Sequence, residues 1–266
     1  MLPELDALPR RPIFGVPIHA VTMEQVLTIC ADVITRHSHL TIGVVNAAKL
    51  VNMRRDPVLF DAVTSSDLIL ADGASVVMAG ALLGQRLPER IPGIDLFEKL
   101  LEAGNHHGWS VYILGAKPSI IEKAARTIGE RYPRLRLVGY RDGYFADDEA
   151  EQVVRAIREA KPDMLFIGIS SPKKEFFLRQ WGRALDVPIC HGVGGSFDVM
   201  AGLVNRAPIV WQKLGLEWLF RIVQEPRRMW KRYLVTNTVF LTYLVKELIR
   251  PTPLRAEPGD TSTHVE

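Results

Sequence analysis

Cysteine is scarce: the 266 residues hold only Cys30 and Cys190, far apart and each among apolar neighbours. That excludes a disulfide framework and paired-cysteine metal spacing, and it fits a reducing compartment. The opening MLPELDALPRRPIFG lacks the apolar core of a secretory leader. Long apolar runs are missing as well. The best candidate lies in the 13 residues between Arg232 and Lys246, where Thr236, Asn237, Thr238 and Thr242 interrupt it. A spanning helix needs roughly 20 apolar residues, so this segment does not span. No H-E-x-x-H, P-loop or G-x-S-x-G occurs. The string HGVGGSF does not complete G-x-G-x-x-G, because Phe197 takes the place of the last glycine. No D-x-D is present either, so the usual carboxylate clamp for a metal–diphosphate is absent.

What is present reads as a globular chain, 47% hydrophobic and 24% charged, too aliphatic for disorder. The net charge of +3 hides an asymmetry. Residues 205–250 carry nine Lys or Arg against three acids, Glu217, Glu225 and Glu247, so the remainder is slightly acidic. A basic end of this kind points to a polyanionic partner, a membrane surface or nucleic acid. Its densest part, EPRRMWKRY at 225–233, interleaves cations with aromatics.

From about Thr22 to about Asp198, short β-rich runs alternate with helical spacing. LTIGVVN, DLILAD, WSVYILGA, LRLVGY, DMLFIGIS and VPICHGVGG read as strands, and SIIEKAARTIGERY, DEAEQVVRAIREA and KKEFFLRQWGRAL as helices. Thr22 with Gln25 forms a capping box for a helix through about Thr35. Pro133, Pro162 and Pro188 close helical segments. The pattern predicts an α/β fold with a doubly wound, largely parallel, Rossmann-like sheet over residues 1–204. Residues 205–250 then form a helical appendage, in which Leu234, Leu241, Leu244, Val245 and Leu248 share a face, and 251–266 read as a disordered tail.

Ligands of open α/β sheets bind beyond the carboxyl ends of strands. The residues there are Asn46, Asp72, Gly115, Lys173 and Lys174, and then Gly192, Gly194, Gly195 and Asp198. Small residues in these places let backbone N–H groups approach an anion, so a phosphorylated ligand is expected. Taken singly, each has a plainer reading. Asp72 and Asn46 suit helix caps, Lys173 and Lys174 a solvated first turn, and His191 a satisfied structural histidine.

Together the strings LADGASVV, ERIPGIDL, YILGAKPS, GYRDGYF, PDMLFIGISSPKKE, GVGGSFDVMAG and RAPIVWQKLGLEWLFRIVQEPRRMWKRY are far more specific. In order and spacing they resemble the WecG/TagA/CpsF glycosyltransferases, over about Phe14 to Leu248. The resemblance implies inverting, metal-independent transfer of a sugar from a UDP-sugar to a polyprenyl-diphosphate-linked saccharide at the cytoplasmic membrane face. No cofactor is implied, since the UDP-sugar is a substrate. By the same resemblance Asp72 is the general base, and Asn46 holds donor or acceptor. Arg90 touches a phosphate, Tyr144 stacks on uracil and Asp198 meets the ribose, with Gly115, Gly194 and Gly195 around the donor. Val44 stands where many members have Thr, and Lys174 where many have Gln. The second exchange leans the donor away from N-acetylmannosamine or its uronate towards glucose, as in exopolysaccharide assembly. Arg228 is expected to reach the diphosphate, and Arg221, Arg227, Trp230, Lys231 and Arg232 an anionic membrane surface. Nucleic acid is not expected as a partner, and a homo-oligomer is left open. Two other classes compete: a nucleotide-binding oxidoreductase and a non-enzymatic membrane- or nucleic-acid-binding module.

Overall fold

A computed structural model describes residues 3–224 and 226–250, without the side chains of residues 3, 4, 213, 228, 229, 231 and 232. The tail assigned to 251–266 lies outside the described residues. In chain order the elements begin α1 (Pro3–Asp6), β1 (Arg10–Ile13), β2 (Val16–His19), α2 (Met23–Thr35), β3 (Leu40–Val45), α3 (Ala47–Arg55) and α4 (Pro57–Thr64). Then come β4 (Leu68–Ala71), α5 (Ala74–Leu82), α6 (Gly93–His107), β5 (Ser110–Gly115), α7 (Pro118–Arg131) and β6 (Arg136–Arg141). The last are α8 (Ala150–Ala160), β7 (Met164–Gly168), α9 (Lys173–Trp181), β8 (Ile189–Gly192), α10 (Ser196–Met200), α11 (Ile209–Lys213), α12 (Glu217–Gln224) and α13 (Pro226–Ile249).

All six expected strands form one parallel sheet in the order β4-β3-β8-β7-β5-β6. Because side chains alternate across a strand, each strand feeds two cores. Ile42, Leu68, Leu70, Val111, Ile113, Met164, Phe166 and Ile189 face α2, α6 and α7. Their neighbours Tyr112, Leu114, Leu165, Ile167 and Cys190 face the opposite side, against residues of α8 and α9. Burial on both faces is why these runs read as continuous apolar stretches rather than alternating ones.

The punctuation works as the residue chemistry requires. Gln25 N–H donates to Thr22 Oγ1 at 3.2 Å while Thr22 N–H donates to Gln25 Oε1 at 2.8 Å, closing the expected box on α2. Asp56 accepts from Val58 and Leu59 N–H, with Pro57 at the first position of α4. Gly108, at φ 71°, ends α6 in the left-handed region.

Two features were not anticipated. The β1–β2 pair is an antiparallel hairpin turned by Phe14 (φ 53°) and Gly15 (φ 79°). It docks on the β4 edge, where buried His19 accepts the Ile69 N–H at 3.0 Å through Nδ1. Burial, with Arg10 nearby, pushes the His19 imidazole down to about 4, which keeps Nδ1 an acceptor. Second, of the five residues that share a face of α13, only Leu244 is buried. Phe240 and Leu244 enter the core of β1, β2, α3 and α4, whereas Leu234, Leu241, Val245 and Leu248 stay exposed. The helix is apolar on two sides, and the aromatic side won. Phe240 meets Phe14 edge to face at 5.2 Å, and Arg54 of α3 lies over Tyr243 and bonds Glu247 at 3.3 Å. The C-terminal half of the basic segment is therefore built into the body.

Replacing Phe240 with Ala is expected to cost about 3 kcal/mol of unfolding free energy. The exposed neighbour Leu241→Ala should cost under about 0.5 kcal/mol. Equal midpoints for the two variants in a urea titration would contradict this packing.

Candidate active site at the carboxyl edge of the sheet

The carboxyl ends of β3 and β4 bring Asn46 and Asp72 together. Main-chain pairing continues past β4, with Asp72 N–H donating to Val45 O at 2.9 Å and Ile91 N–H to Ala71 O at 2.8 Å. Asp72 is not the cap of its own helix, since α5 starts from Gly73 with no side-chain cap. Its carboxylate is held from two other elements. Asn46 Nδ2 donates to Oδ2 at 3.3 Å, and the Gly93 N–H, first in α6, donates to Oδ1 at 3.0 Å. Asn46 is simultaneously a helix cap, its Oδ1 accepting Lys49 N–H at 3.0 Å. The cap reading and the site reading thus hold together for Asn46. For Asp72 the cap is of α6 instead of α5.

Gly93 in turn rests on His191. The His191 ring, fully buried on β8, places Nε2 3.2 Å from Gly93 O and Nδ1 3.4 Å from Ile42 O. Burial pushes this imidazole down to about 4 despite both carbonyls, so it is neutral at ordinary pH.

The second half of the edge lies at β5, β7 and β8. The chain leaves β5 for β6 on one side and β7 for β8 on the other, which opens a crevice between them. Gly115, at φ 131°, is pressed so closely on Gly168 that a Cβ would lie 2.5 Å from its carbonyl carbon. Ala116 N–H donates to Gly168 O and Gly143 N–H to Ala116 O, tying these loops together. Tyr144 follows with its side chain exposed. Gly194 (φ 55°) and exposed Gly195 lead into α10, where Asp198 stands in the first turn. Its carboxylate accepts no hydrogen bond from a described residue. The expected site residues therefore fall into two groups, Asn46, Asp72 and Arg90 on one flank and Gly115, Tyr144, Gly194, Gly195 and Asp198 on the other.

Arg90, in the loop before α6, bonds Glu217 of α12 at 3.1 Å. The basic segment thereby reaches the β4 flank. Arg206 adds a second tie, to Asp95 and Glu98 of α6. Arg221, Arg227 and Trp230 are exposed. The side chains of Arg228, Lys231 and Arg232 lie outside the described ones.

Lys174 departs from both sequence readings, the solvated first turn and the cation facing the ligand. It is buried, and its ammonium lies on Glu175 Oε1, which also takes Lys49 Nζ at 2.7 Å. Gly192 makes this possible, because a Cβ there would lie 2.7 Å from Lys174 Cε. Burial, helped by the Lys49 charge, pushes Lys174 down to about 8. Burial alone would raise Glu175, but the two ammoniums outweigh it and take the carboxyl down to about 2. A cavity lined by these three side chains and Gly192 adjoins them. Sequence gave hints of neither Lys49 nor Glu175 beyond a capping offset and a charge among aromatics. Among the described residues no three His, Cys, Asp or Glu are grouped to hold a metal ion.

A model of the glycosyl transferase WecG/TagA/CpsF family matches residues 11–253. A Bacillus subtilis (strain 168) N-acetylglucosaminyldiphosphoundecaprenol N-acetyl-beta-D-mannosaminyltransferase is 38% identical over 193 residues, covering 73% of this chain and 74% of its own. The Bacillus spizizenii protein of the same name is 37% identical over 176 residues, 66% of this chain and 67% of its own.

Glu175→Gln should destabilise the protein by about 3 kcal/mol, because it strands two buried ammoniums. The wild-type carboxyl titrates lower folded than unfolded, so its contribution is present above pH 4.5 and lost as pH falls towards about 2. Unfolding free energies measured across that window should fall less steeply in the variant, and parallel curves would contradict the assignment.

Proposed function

Because the chain belongs to the WecG/TagA/CpsF family of glycosyltransferases, we propose that it moves a sugar from a UDP-sugar to a saccharide carried on a polyprenyl diphosphate, with inversion and without a metal ion. The observation that carries the reading is the double hold on Asp72. With one donor on each oxygen, the carboxylate is oriented yet keeps lone pairs to receive a proton. An acceptor hydroxyl would attack the anomeric carbon in line, giving its proton to Asp72 as the UDP oxygen leaves. The glycine-lined flank from Gly115 to Asp198 suits the nucleotide, with Tyr144 free to stack and Asp198 free to accept from a ribose diol. Charge developing on the diphosphate would be met by Arg90, released from Glu217, and by Arg228.

The donor is first read as UDP-N-acetylmannosamine and the acceptor as a lipid-linked N-acetylglucosamine, as in the names of the Bacillus relatives. Lys174 in the place of the usual Gln is what favours the second reading, glucose, although its ammonium is committed to Glu175. No described helix is long and apolar enough to cross a membrane. The exposed Arg221, Arg227 and Trp230, together with the bare apolar side of α13, support attachment to the inner membrane surface instead.

Asp72→Ala is expected to abolish transfer while UDP binding, read by calorimetry, persists. Wild-type turnover in that variant removes Asp72 as base. A panel of radiolabelled UDP-sugars against short-chain polyprenyl-diphosphate monosaccharides, run with and without EDTA, identifies the donor, and loss of product with chelator overturns the metal-free reading. Changing Arg227, Arg228, Lys231 and Arg232 to Gln should weaken binding to anionic vesicles by roughly 1 kcal/mol per cation. Undiminished co-sedimentation would place the attachment elsewhere. Substitution is the cleaner test, because deleting the segment also removes Phe240 and Leu244 from the core.

A further inference from the structure

A fully buried position on a central strand is an expensive place for an imidazole, since an aliphatic residue would fill it without a polar group to satisfy. His191 stands there between Cys190 and Gly192, edge-on to Phe166 at 6.3 Å. What it touches is Gly93, and Gly93 is what touches Asp72. The two contacts fall on the peptide units either side of one Cα: the N–H goes to Asp72 Oδ1 and the carbonyl oxygen meets His191 Nε2.

Glycine at that position is not demanded by space. A Cβ would find its nearest neighbours, in Val44 and His191, at 3.6–3.7 Å, which is ordinary contact. Its backbone is also the least restrained by its own chemistry. Gly93 opens α6, and at a helix end, where the chain frays, a hold on its carbonyl adds to what the helix itself fixes. A neutral imidazole has one proton to give, and with it on Nε2, the nitrogen with the shorter contact, His191 donates to Gly93 O.

We infer that His191 is a positioning residue for transfer: by holding the Gly93 carbonyl from β8, it aims the Gly93 N–H that orients Asp72. The role rests on Asp72 being the base, and it adds a residue that never meets substrate. It also explains why three strands, β3, β4 and β8, must be in register for one carboxylate to point correctly.

The test compares His191→Leu with His191→Gln, whose amide can still donate to the carbonyl, using the UDP-sugar that the donor panel identifies. In the Leu variant kcat should fall by up to about 100-fold with KM for the donor little changed. The Gln variant should recover most of that loss at a similar melting temperature. Gly93→Pro removes the N–H at a helix position that accepts proline, and should lower kcat comparably. If either His191 variant melts below the assay temperature, the pair is compared at a temperature below both melting points. Equal loss in the Leu and Gln variants, or wild-type kcat in Leu or in Gly93→Pro, overturns the inference. Asp72→Ala separates the two levels. If that variant is dead while His191→Leu is unaffected, only the positioning role falls. If it is active, the base assignment has failed first.

Discussion

The site depends on one carboxylate being gripped from both sides. Asp72 leaves β4 with its main chain paired to β3, and its side chain then meets the first N–H of α6 and the amide of Asn46. Neither partner is mobile. Asn46 is fixed by its own duty as the cap of α3, and Gly93 by its place at the head of a 15-residue helix. As the proposed base, Asp72 held in this way has its orientation set before substrate arrives, which is what orientation contributes to catalysis.

The sheet divides the remaining work. Its β3–β4 flank carries groups that suit proton transfer, while the β5–β7–β8 flank offers glycines close enough for main chain to approach a phosphate. Arg90 and Arg206 join the first flank to the basic segment through Glu217, Asp95 and Glu98. The Arg90 guanidinium is thus already matched by a carboxylate, and an anion entering the crevice has to compete with Glu217 for it.

Much of this was legible in the sequence, and for identifiable reasons. The inner strands β5, β7 and β8 announced themselves because burial on both faces makes them largely apolar, whereas the edge strand β6 is exposed at alternate residues, and prolines marked where helices stop. Thr22 and Gln25 formed the box their spacing implied. Strand-end positions were found because the fold class dictates where to look. The partners were not legible. Gly93 lies 21 residues from Asp72, and His191 98 residues from Gly93, so only the folded sheet brings them together. Lys174 was misread because local spacing cannot show that a glycine at 192 leaves a channel for its stem. The hairpin was missed because its turn is Phe-Gly, without the usual Asn or Asp. The leucine spacing of α13 does not show that Phe240, four residues before Leu244, meets Phe14 across the fold.

The contact between Phe14 and Phe240 also sets a schedule. The two rings lie 226 residues apart in the chain (240 minus 14), so the ribosome delivers Phe14 well before Phe240. At about 5–20 residues per second, the early ring waits for roughly tens of seconds before its mate emerges. Through that interval the hairpin and α3 present an unfinished apolar seam, the kind of surface chaperones shield. Helix α13 thus acts as the fastener on a seam opened by the much earlier hairpin.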